Sequence, residues 1–137
     1  LRAYGMPLDN DLVVEGDYSF DDGFRGARKL LALENRPTAI FGSNDEIAAG
    51  VLAAAKSGGI DVPWELSIAG FEDSPFSKQS WPALTTARQA TADIARHATR
   101  RLIAELEREA HGIAGEISNE GFSPELVVRG STAPIRK

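Results

Sequence analysis

Residues 37–75 decide the fold, and they read PTAIFGSNDEIAAGVLAAAKSGGIDVPWELSIAGFEDSP. The short apolar run from Thr38 to Phe41, bounded by proline and glycine, is typical of a buried strand. Ser43, with Glu46 three residues later, has the form of a capping box, which begins a helix. The alanine-rich run that follows has helical apolar spacing and is expected to end at Gly58-Gly59.

Polar side chains follow two predicted strands of this stretch. The second strand runs from Ser67 to Gly70 and is followed by Glu72 and Asp73, while Asn44 follows the first strand. A strand, a helix and a strand predict parallel strands joined by a right-handed crossover. Ligands of open parallel sheets bind beyond the carboxyl ends of the strands, and carboxylate and amide groups there suit a polyhydroxylated ligand. The same residues would equally serve only to cap the helix and turn the chain.

The segment upstream of this stretch predicts another strand and helix. Leu12-Val-Val is an apolar run, and Glu15-Gly16-Asp17-Tyr18 would be its polar carboxyl end. The acidic pair Asp21-Asp22 is expected to begin the next helix. Tyr18 and Phe20 would then lie at the same edge as the amide and carboxylate groups. An aromatic ring there would either stack on the apolar face of a sugar or simply pack.

Downstream, an irregular loop precedes an amphipathic helix. The loop at residues 75–86 carries Phe76 and Trp81, which indicate either internal packing or a subunit interface. A helix is predicted from Thr91 to about His111, with an apolar stripe formed by Ile94, Ala98, Leu102 and Leu106. A last strand is predicted from Leu126 to Arg129.

Composition excludes several function classes. The chain has 137 residues, of which 42% are hydrophobic, enough for one domain with a buried core. No apolar run approaches the roughly 18 residues of a membrane helix. With no cysteine and only two histidines, neither a disulfide framework nor a metal site is expected. The net charge of −5 makes the chain a poor DNA binder by itself.

No arrangement of residues indicates catalysis or a cofactor. The serines have no neighbouring histidine, and no phosphate-binding loop or dinucleotide fingerprint occurs. We therefore expect a binding protein rather than an enzyme. The first residues, Leu1-Arg-Ala-Tyr-Gly, resemble the tail of a helix, and no initiator methionine precedes them. The chain is thus expected to be part of a longer protein.

Four segments together resemble LacI/GalR-type transcriptional regulators in order and spacing. They are residues 39–50 (AIFGSNDEIAAG), 62–73 (VPWELSIAGFED), 82–89 (PALTTARQ) and 124–132 (PELVVRGST). The first two segments are shared with periplasmic sugar-binding proteins of the same architecture, whereas the last two point to the regulators. The resemblance covers nearly the whole chain.

The resemblance implies an α/β fold with a doubly wound parallel sheet, similar to the type I periplasmic binding proteins. The fold would be incomplete and consist mostly of the C-terminal lobe. Residues 1–87 and 120–137 would belong to that lobe, and residues 88–119 to the N-terminal lobe. The DNA-binding headpiece would be absent from this chain.

The resemblance also implies a set of ligand contacts. Carried over by motif, these are Tyr18, Asn44, Glu72 and Gln89. Possible further contacts are Asp17, Phe20 and Asp73, because they also follow the predicted strands. Gln89 is assigned by the resemblance alone. The family usually has aspartate where this chain has Glu72, so the carboxylate would reach about one C–C bond further into the ligand cleft.

The function implied is that of a cytoplasmic, sugar-responsive transcriptional repressor. Its partners would be a small-molecule effector, a second copy of the chain, and operator DNA contacted through the headpiece, with no membrane involved. The expected dimer interface comprises Val51, Leu52, Ala55, Phe76 and Trp81. The alternative from another class is a periplasmic sugar-binding component of a transport system.

Overall fold

A computed structural model gives the fold and describes residues 5 and 7, residues 9–113 and residues 119–134. The expected helix tail at residues 1–4 lies outside this range. In chain order the helices and strands are α1 (Phe20–Leu31), β1 (Ala39–Phe41), α2 (Asp45–Ser57), β2 (Ser67–Glu72), α3 (Pro75–Gln79), β3 (Thr85–Arg88), α4 (Thr91–Ala110) and β4 (Glu125–Val127).

The four strands form one sheet in the order β1-β2-β3-β4. β1 pairs with β2 in parallel, with Ile40 opposite Ile68, and β2 pairs with β3 in parallel, with Glu72 opposite Arg88. Helix α2 connects the first two strands, as a parallel pair requires. The predicted α/β class with a parallel sheet is therefore confirmed.

Helix α2 begins one residue later than the capping box predicts. Its N-cap is Asn44, whose Oδ1 accepts a hydrogen bond from the backbone N–H of Ile47 at 2.7 Å. Ser43 is exposed, and the Glu46 carboxylate instead accepts the backbone N–H of Phe20 at 3.2 Å. The predicted Ser43 cap is therefore wrong, because the amide of the next residue reaches the free N–H groups first.

The buried core lies between α1, α2 and the sheet. Helix α2 contributes Ala48, Ala49, Val51, Leu52, Ala54 and Ala55 to it, and the strands contribute Ile40 and Ile68. Val51, Leu52 and Ala55 are at most 4% exposed, so they leave almost no surface for a second chain to cover. Their assignment to a dimer interface stays a prediction, although Leu52 lines a groove with Phe76 and Trp81.

The predicted strand at Leu12-Val-Val does not form. Residues Asn10–Leu12 make a short 3₁₀ helix, and the side chain of Asp9 caps it by accepting the N–H of Asp11 at 3.0 Å. Val14 lies against α1, with its Cγ1 3.2 Å from the position that a Cβ would take at Gly26. The apolar run thus stays largely exposed, from 38% at Val14 to 48% at Val13, and does not extend the sheet.

The segment after β4 fastens β2 to β3. The Ser131 side chain is fully buried; its hydroxyl donates to the carbonyl of Ile68 at 2.6 Å and accepts the N–H of Thr85 at 2.8 Å. The Ser131 carbonyl accepts the N–H of Ile68 at 2.8 Å. One residue therefore satisfies backbone groups of two neighbouring strands.

The chain divides into two units, Leu1–Arg88 with Leu126–Lys137, and Gln89–Glu125. The second unit contains α4, which confirms the predicted long helix. Its apolar stripe is exposed, from 37% at Ile94 to 61% at Leu102. Within this unit His97 meets Glu120 at 2.6 Å and the edge of the Phe122 ring. None of the described helices is long and apolar enough to cross a membrane.

Candidate functional site

Residues directly after β1 and β2 meet at the carboxyl edge of the sheet, because the two strands are parallel. We use the term carboxyl edge for residues 43–45 and 72–74 together with Tyr18. The hydrogen bonds at this edge connect residues that are far apart in sequence. One of these connections is made by the amide side chain of Asn44.

Asn44 links the start of α2 to the segment before α1. Its Oδ1 caps α2, and its Nδ2 donates to the backbone carbonyl of Tyr18 at 3.1 Å. The structure therefore brings Asn44 and Tyr18 together, as the sequence predicts. One amide N–H and one lone pair remain for a further partner.

Tyr18 presents its ring to solvent from an unusual backbone conformation. The residue is 67% exposed, and its φ of 62° lies in the left-handed region. Phe20, by contrast, lies in the first turn of α1 and lines a groove that also includes Phe76 and Trp81. Asp17 is exposed, and its backbone N–H donates to the Asp22 carboxylate at 2.8 Å.

Glu72 is the last residue of β2. Neither of its carboxylate oxygens accepts a hydrogen bond from a donor of a described residue. Its side chain is exposed, and across residues 9–113 and 119–134 it makes no ion pair or side-chain hydrogen bond. Its φ of 111° is another left-handed value for a residue other than glycine. A carboxylate held in this way is available to accept hydrogen bonds from a ligand.

Asp73 differs from its neighbour because its carboxylate is only 5% exposed. Oδ2 accepts from Nε of Arg88 at 2.7 Å and lies 3.6 Å from the Lys78 ammonium, and Oδ1 pairs with Nη2 of Arg129. Burial would raise the pKa of the Asp73 carboxyl, but the hydrogen bonds from Arg129 and Arg88 outweigh it and hold that pKa well below its ordinary value. Protein donors therefore already engage the Asp73 carboxylate, and its assignment as a ligand contact stays a prediction.

Asp45 is a buried carboxylate that sequence reasoning did not assign to the site. It accepts the backbone N–H of Ser74 at 2.7 Å and the hydroxyl of Thr86 at 2.5 Å, and it is fully buried. A Cβ at Gly70 would collide with its Oδ1, so only glycine leaves room for it. Asp45 thereby fixes residue 74, at the end of the Glu72 loop, to the start of α2.

Gln89 follows β3 directly and belongs to the second unit. Its side chain is exposed. Its assignment as a ligand contact stays a prediction, as do those of Tyr18, Asn44, Glu72, Asp17 and Phe20. Across the described residues, no group of three or more histidine, cysteine, aspartate or glutamate side chains is arranged to hold a metal ion.

Comparison with known proteins identifies the family. The sequence profile of the periplasmic binding protein-like domain matches residues 1–132. This chain belongs to the periplasmic binding protein-like domain family. Its relatives in sequence are LacI-type regulators. They include catabolite control protein A of Priestia megaterium, 39% identical over 80% of this chain and 33% of that protein. The HTH-type transcriptional repressor CytR of Escherichia coli (strain K12) is 34% identical over 98% of this chain and 38% of the relative.

Solved structures agree with this assignment. The chain is similar to a transcriptional regulator CelR–cellobiose complex, with a TM-score of 0.85 and 28% identity over 95% of this chain and 38% of the other. It is also similar to a LacI family regulator of Lactobacillus casei with bound sucrose, with a TM-score of 0.77 and 26% identity over 96% and 47% of the two chains. This periplasmic binding protein-like chain thus spans between a third and just under a half of the length of these relatives.

Proposed function

We propose that this chain is the effector-binding part of a sugar-responsive transcriptional repressor. The observation that carries the proposal is the exposed carboxylate of Glu72, held on left-handed backbone at the carboxyl edge that also includes Asn44. Non-glycine residues with positive φ cluster at functional sites, because the surrounding structure must stabilise them. No contact between the Glu72 side chain and a described residue explains this backbone conformation.

The chemistry of the edge supports a sugar as the effector. Cellobiose and sucrose, found in two similar structures, carry hydroxyl and ether oxygens only. Glu72 would accept hydrogen bonds from ligand hydroxyls, and the remaining amide N–H of Asn44 would donate to a ligand oxygen. The exposed Tyr18 ring would stack on the apolar face of the sugar, with Asp17 and Phe20 near it. Gln89 remains a proposed ligand contact that rests on the resemblance to the regulators alone.

The regulatory mechanism requires two lobes. We assign residues 1–87 and 120–137 to the C-terminal lobe and residues 88–119 to the N-terminal lobe, with a DNA-binding headpiece elsewhere in a longer protein. The effector would favour one relative orientation of the lobes. It would change DNA affinity only by its differential affinity for the two orientations. The site would bind and release its ligand without catalysis, and the protein would act in the cytoplasm.

A homodimer is the second part of the proposal. Trp81 is 82% exposed and Phe76 is 42% exposed, and both line the groove with Phe20. Large exposed aromatic side chains are the residues that most often anchor a protein interface. A second copy of the chain would cover this groove.

The alternative, a periplasmic sugar-transport component, is less well supported. Relatives in sequence are named as HTH-type transcriptional regulators or repressors, and none of those cited is named as a transport protein. A transport component would bind sugar without any effect on DNA affinity. Measuring both properties therefore discriminates the two functions.

The direct test is operator binding by the full-length protein. In vitro selection from random duplexes would give the operator, and fluorescence anisotropy would then measure affinity for it in cellobiose, sucrose and a panel of monosaccharides. We expect sequence-specific binding whose dissociation constant changes about 5- to 150-fold with one of these sugars. Failure to select any duplex, or an affinity that no sugar changes, would contradict the proposal.

A further inference from the structure

Backbone strain is concentrated at the carboxyl edge. Of the described residues other than glycine, those with positive φ are Tyr18, Glu72 and Asp73, with φ values of 62°, 111° and 59°. Two of them are consecutive, so the chain leaves β2 through a pair of residues in a conformation that side chains disfavour. Such a pair persists only if other contacts hold it.

The contacts that hold this pair converge on Asp73. Its carboxylate is bonded to Arg88 and Arg129 and accepts the Ser77 hydroxyl at 3.3 Å. Its backbone N–H donates to the Thr86 hydroxyl at 3.4 Å. Glu72 itself supplies none of these contacts. Of the two residues, Asp73 is therefore the one that the described side-chain contacts anchor.

The arginines are themselves anchored to other parts of the sheet. Arg129 donates through Nη1 to the carbonyl of Leu84 at 2.8 Å, and its backbone N–H donates to the Thr85 hydroxyl at 2.9 Å. Arg88 is the last residue of β3, lies opposite Glu72 in the register and directly precedes Gln89. The ion pairs thus run across the sheet from β2 to β3 and to the segment after β4.

We propose that Asp73 is a positioning residue, which through Arg88 and Arg129 holds Glu72 in its left-handed conformation and sets its place relative to the end of β3. This inference rests on the proposed function, in which Glu72 contacts the effector. It assigns to Asp73 a role distinct from ligand contact. A residue that merely capped α3 would bond along that helix, whereas the strongest partners of Asp73 lie on β3 and beyond β4.

Variants of Asp73 and Arg88 distinguish the loss of their ion pair from a general loss of stability of the fold. Arg88→Gln removes the ion pair with Asp73 from a side chain that is 46% exposed, and Arg88→Lys restores the charge. Asp73→Asn removes the carboxylate to which Arg88 and Arg129 are bonded. The double variant with Arg88→Gln isolates the coupling between Asp73 and Arg88. Arg36→Gln is the matched control. Arg36 is about as exposed as Arg88, but its partner Glu65 is 48% exposed, and both residues precede their strands at the opposite edge of the sheet.

Two measurements on the full-length protein test the inference. Native-state hydrogen exchange reports on the N–H groups of Asp73 and Ser74, which are bonded to Thr86 and Asp45. Calorimetric titration with cellobiose and with sucrose reports on the ligand site. We expect Arg88→Gln to speed exchange at these two amides and to weaken sugar binding, each by roughly 3- to 10-fold. Arg88→Lys should recover most of both effects, and Arg36→Gln should show neither.

Each result that would contradict the inference affects a different part of it. Unchanged exchange at Asp73 and Ser74 in Arg88→Gln would overturn the inference, and so would an equal rise in exchange throughout α1 and α2. Faster exchange with unchanged sugar affinity would overturn the positioning role in ligand binding. A wild-type protein that binds neither sugar would count against the proposed function alone, because the exchange measurement needs no ligand.

Discussion

Replacing Asp45 by alanine should destabilise the protein strongly although the residue lies at a helix terminus. Asp45 is fully buried and accepts the N–H of Ser74 and the hydroxyl of Thr86. The alanine variant would leave both donors without their acceptor, at about 1–3 kcal/mol each. It would also remove a favourable charge at the start of α2, worth about 0.3–1 kcal/mol. Part of this cost is offset because a buried charge disappears, so we expect a loss of roughly 2–5 kcal/mol.

Two further variants make the Asp45 measurement specific. Asp45→Asn keeps an acceptor for the Ser74 N–H, and the Thr86 hydroxyl can rotate to accept from the new amide, so the loss should be only about 1 kcal/mol. Asp21→Ala is the matched control, because Asp21 is an exposed acid in the first turn of α1 and should contribute only about 0.3–1 kcal/mol.

Urea denaturation followed by circular dichroism measures the difference. With a typical dependence of about 1–3 kcal/mol per molar urea, a loss near 3 kcal/mol lowers the midpoint by roughly 1–3 M. We expect the midpoints to fall in the order wild type, Asp21→Ala, Asp45→Asn, Asp45→Ala, with the first three close together. A midpoint for Asp45→Ala equal to that of Asp21→Ala would refute the reasoning, because it would mean that the buried donors find other acceptors.

Two other outcomes are expected. Because the pKa of Asp73 is lowered in the folded state, its ion pairs stabilise the protein above the unfolded pKa of about 3.9, and this stability is lost as the pH falls below that value. The difference in melting temperature between wild type and Asp73→Asn should therefore shrink between pH 7 and pH 3; a constant difference would contradict this. Trp81→Ala should weaken self-association about 10-fold or more without loss of helix content, since Trp81 is 82% exposed. Sedimentation of wild type and variant as equal-sized species would argue against the proposed dimer.

The unit from β1 to β2 could be predicted from sequence because its signals are local. Proline, glycine and apolar spacing bound each element within one or two residues, and Gly59 takes the left-handed φ of 71° expected after a helix. The helix start was displaced by one residue because Ser43 and Asn44 are both good caps. Only the geometry decides between them.

Other features could not be predicted, because they depend on contacts between distant residues. The bonds from Asp45 to Thr86 and from Asp73 to Arg129 join residues 41 and 56 positions apart. An alanine-rich helix such as α2 is apolar on most sides, which is typical of a buried helix rather than an interface helix. The run Leu12-Val-Val has the composition of a strand, yet its neighbour is a helix. Local pattern does not reveal which surface an apolar run will meet.

The central claim is that Glu72 binds the effector, and calorimetric titration of the full-length protein with its sugar tests it most directly. A hydrogen bond to a charged group is worth roughly 1.5–3 kcal/mol, so Glu72→Ala should weaken binding about 10- to 100-fold and leave the melting temperature unchanged. Glu34→Ala, which changes an exposed glutamate in the turn after α1, should bind as wild type does. Wild-type affinity in Glu72→Ala would contradict the account.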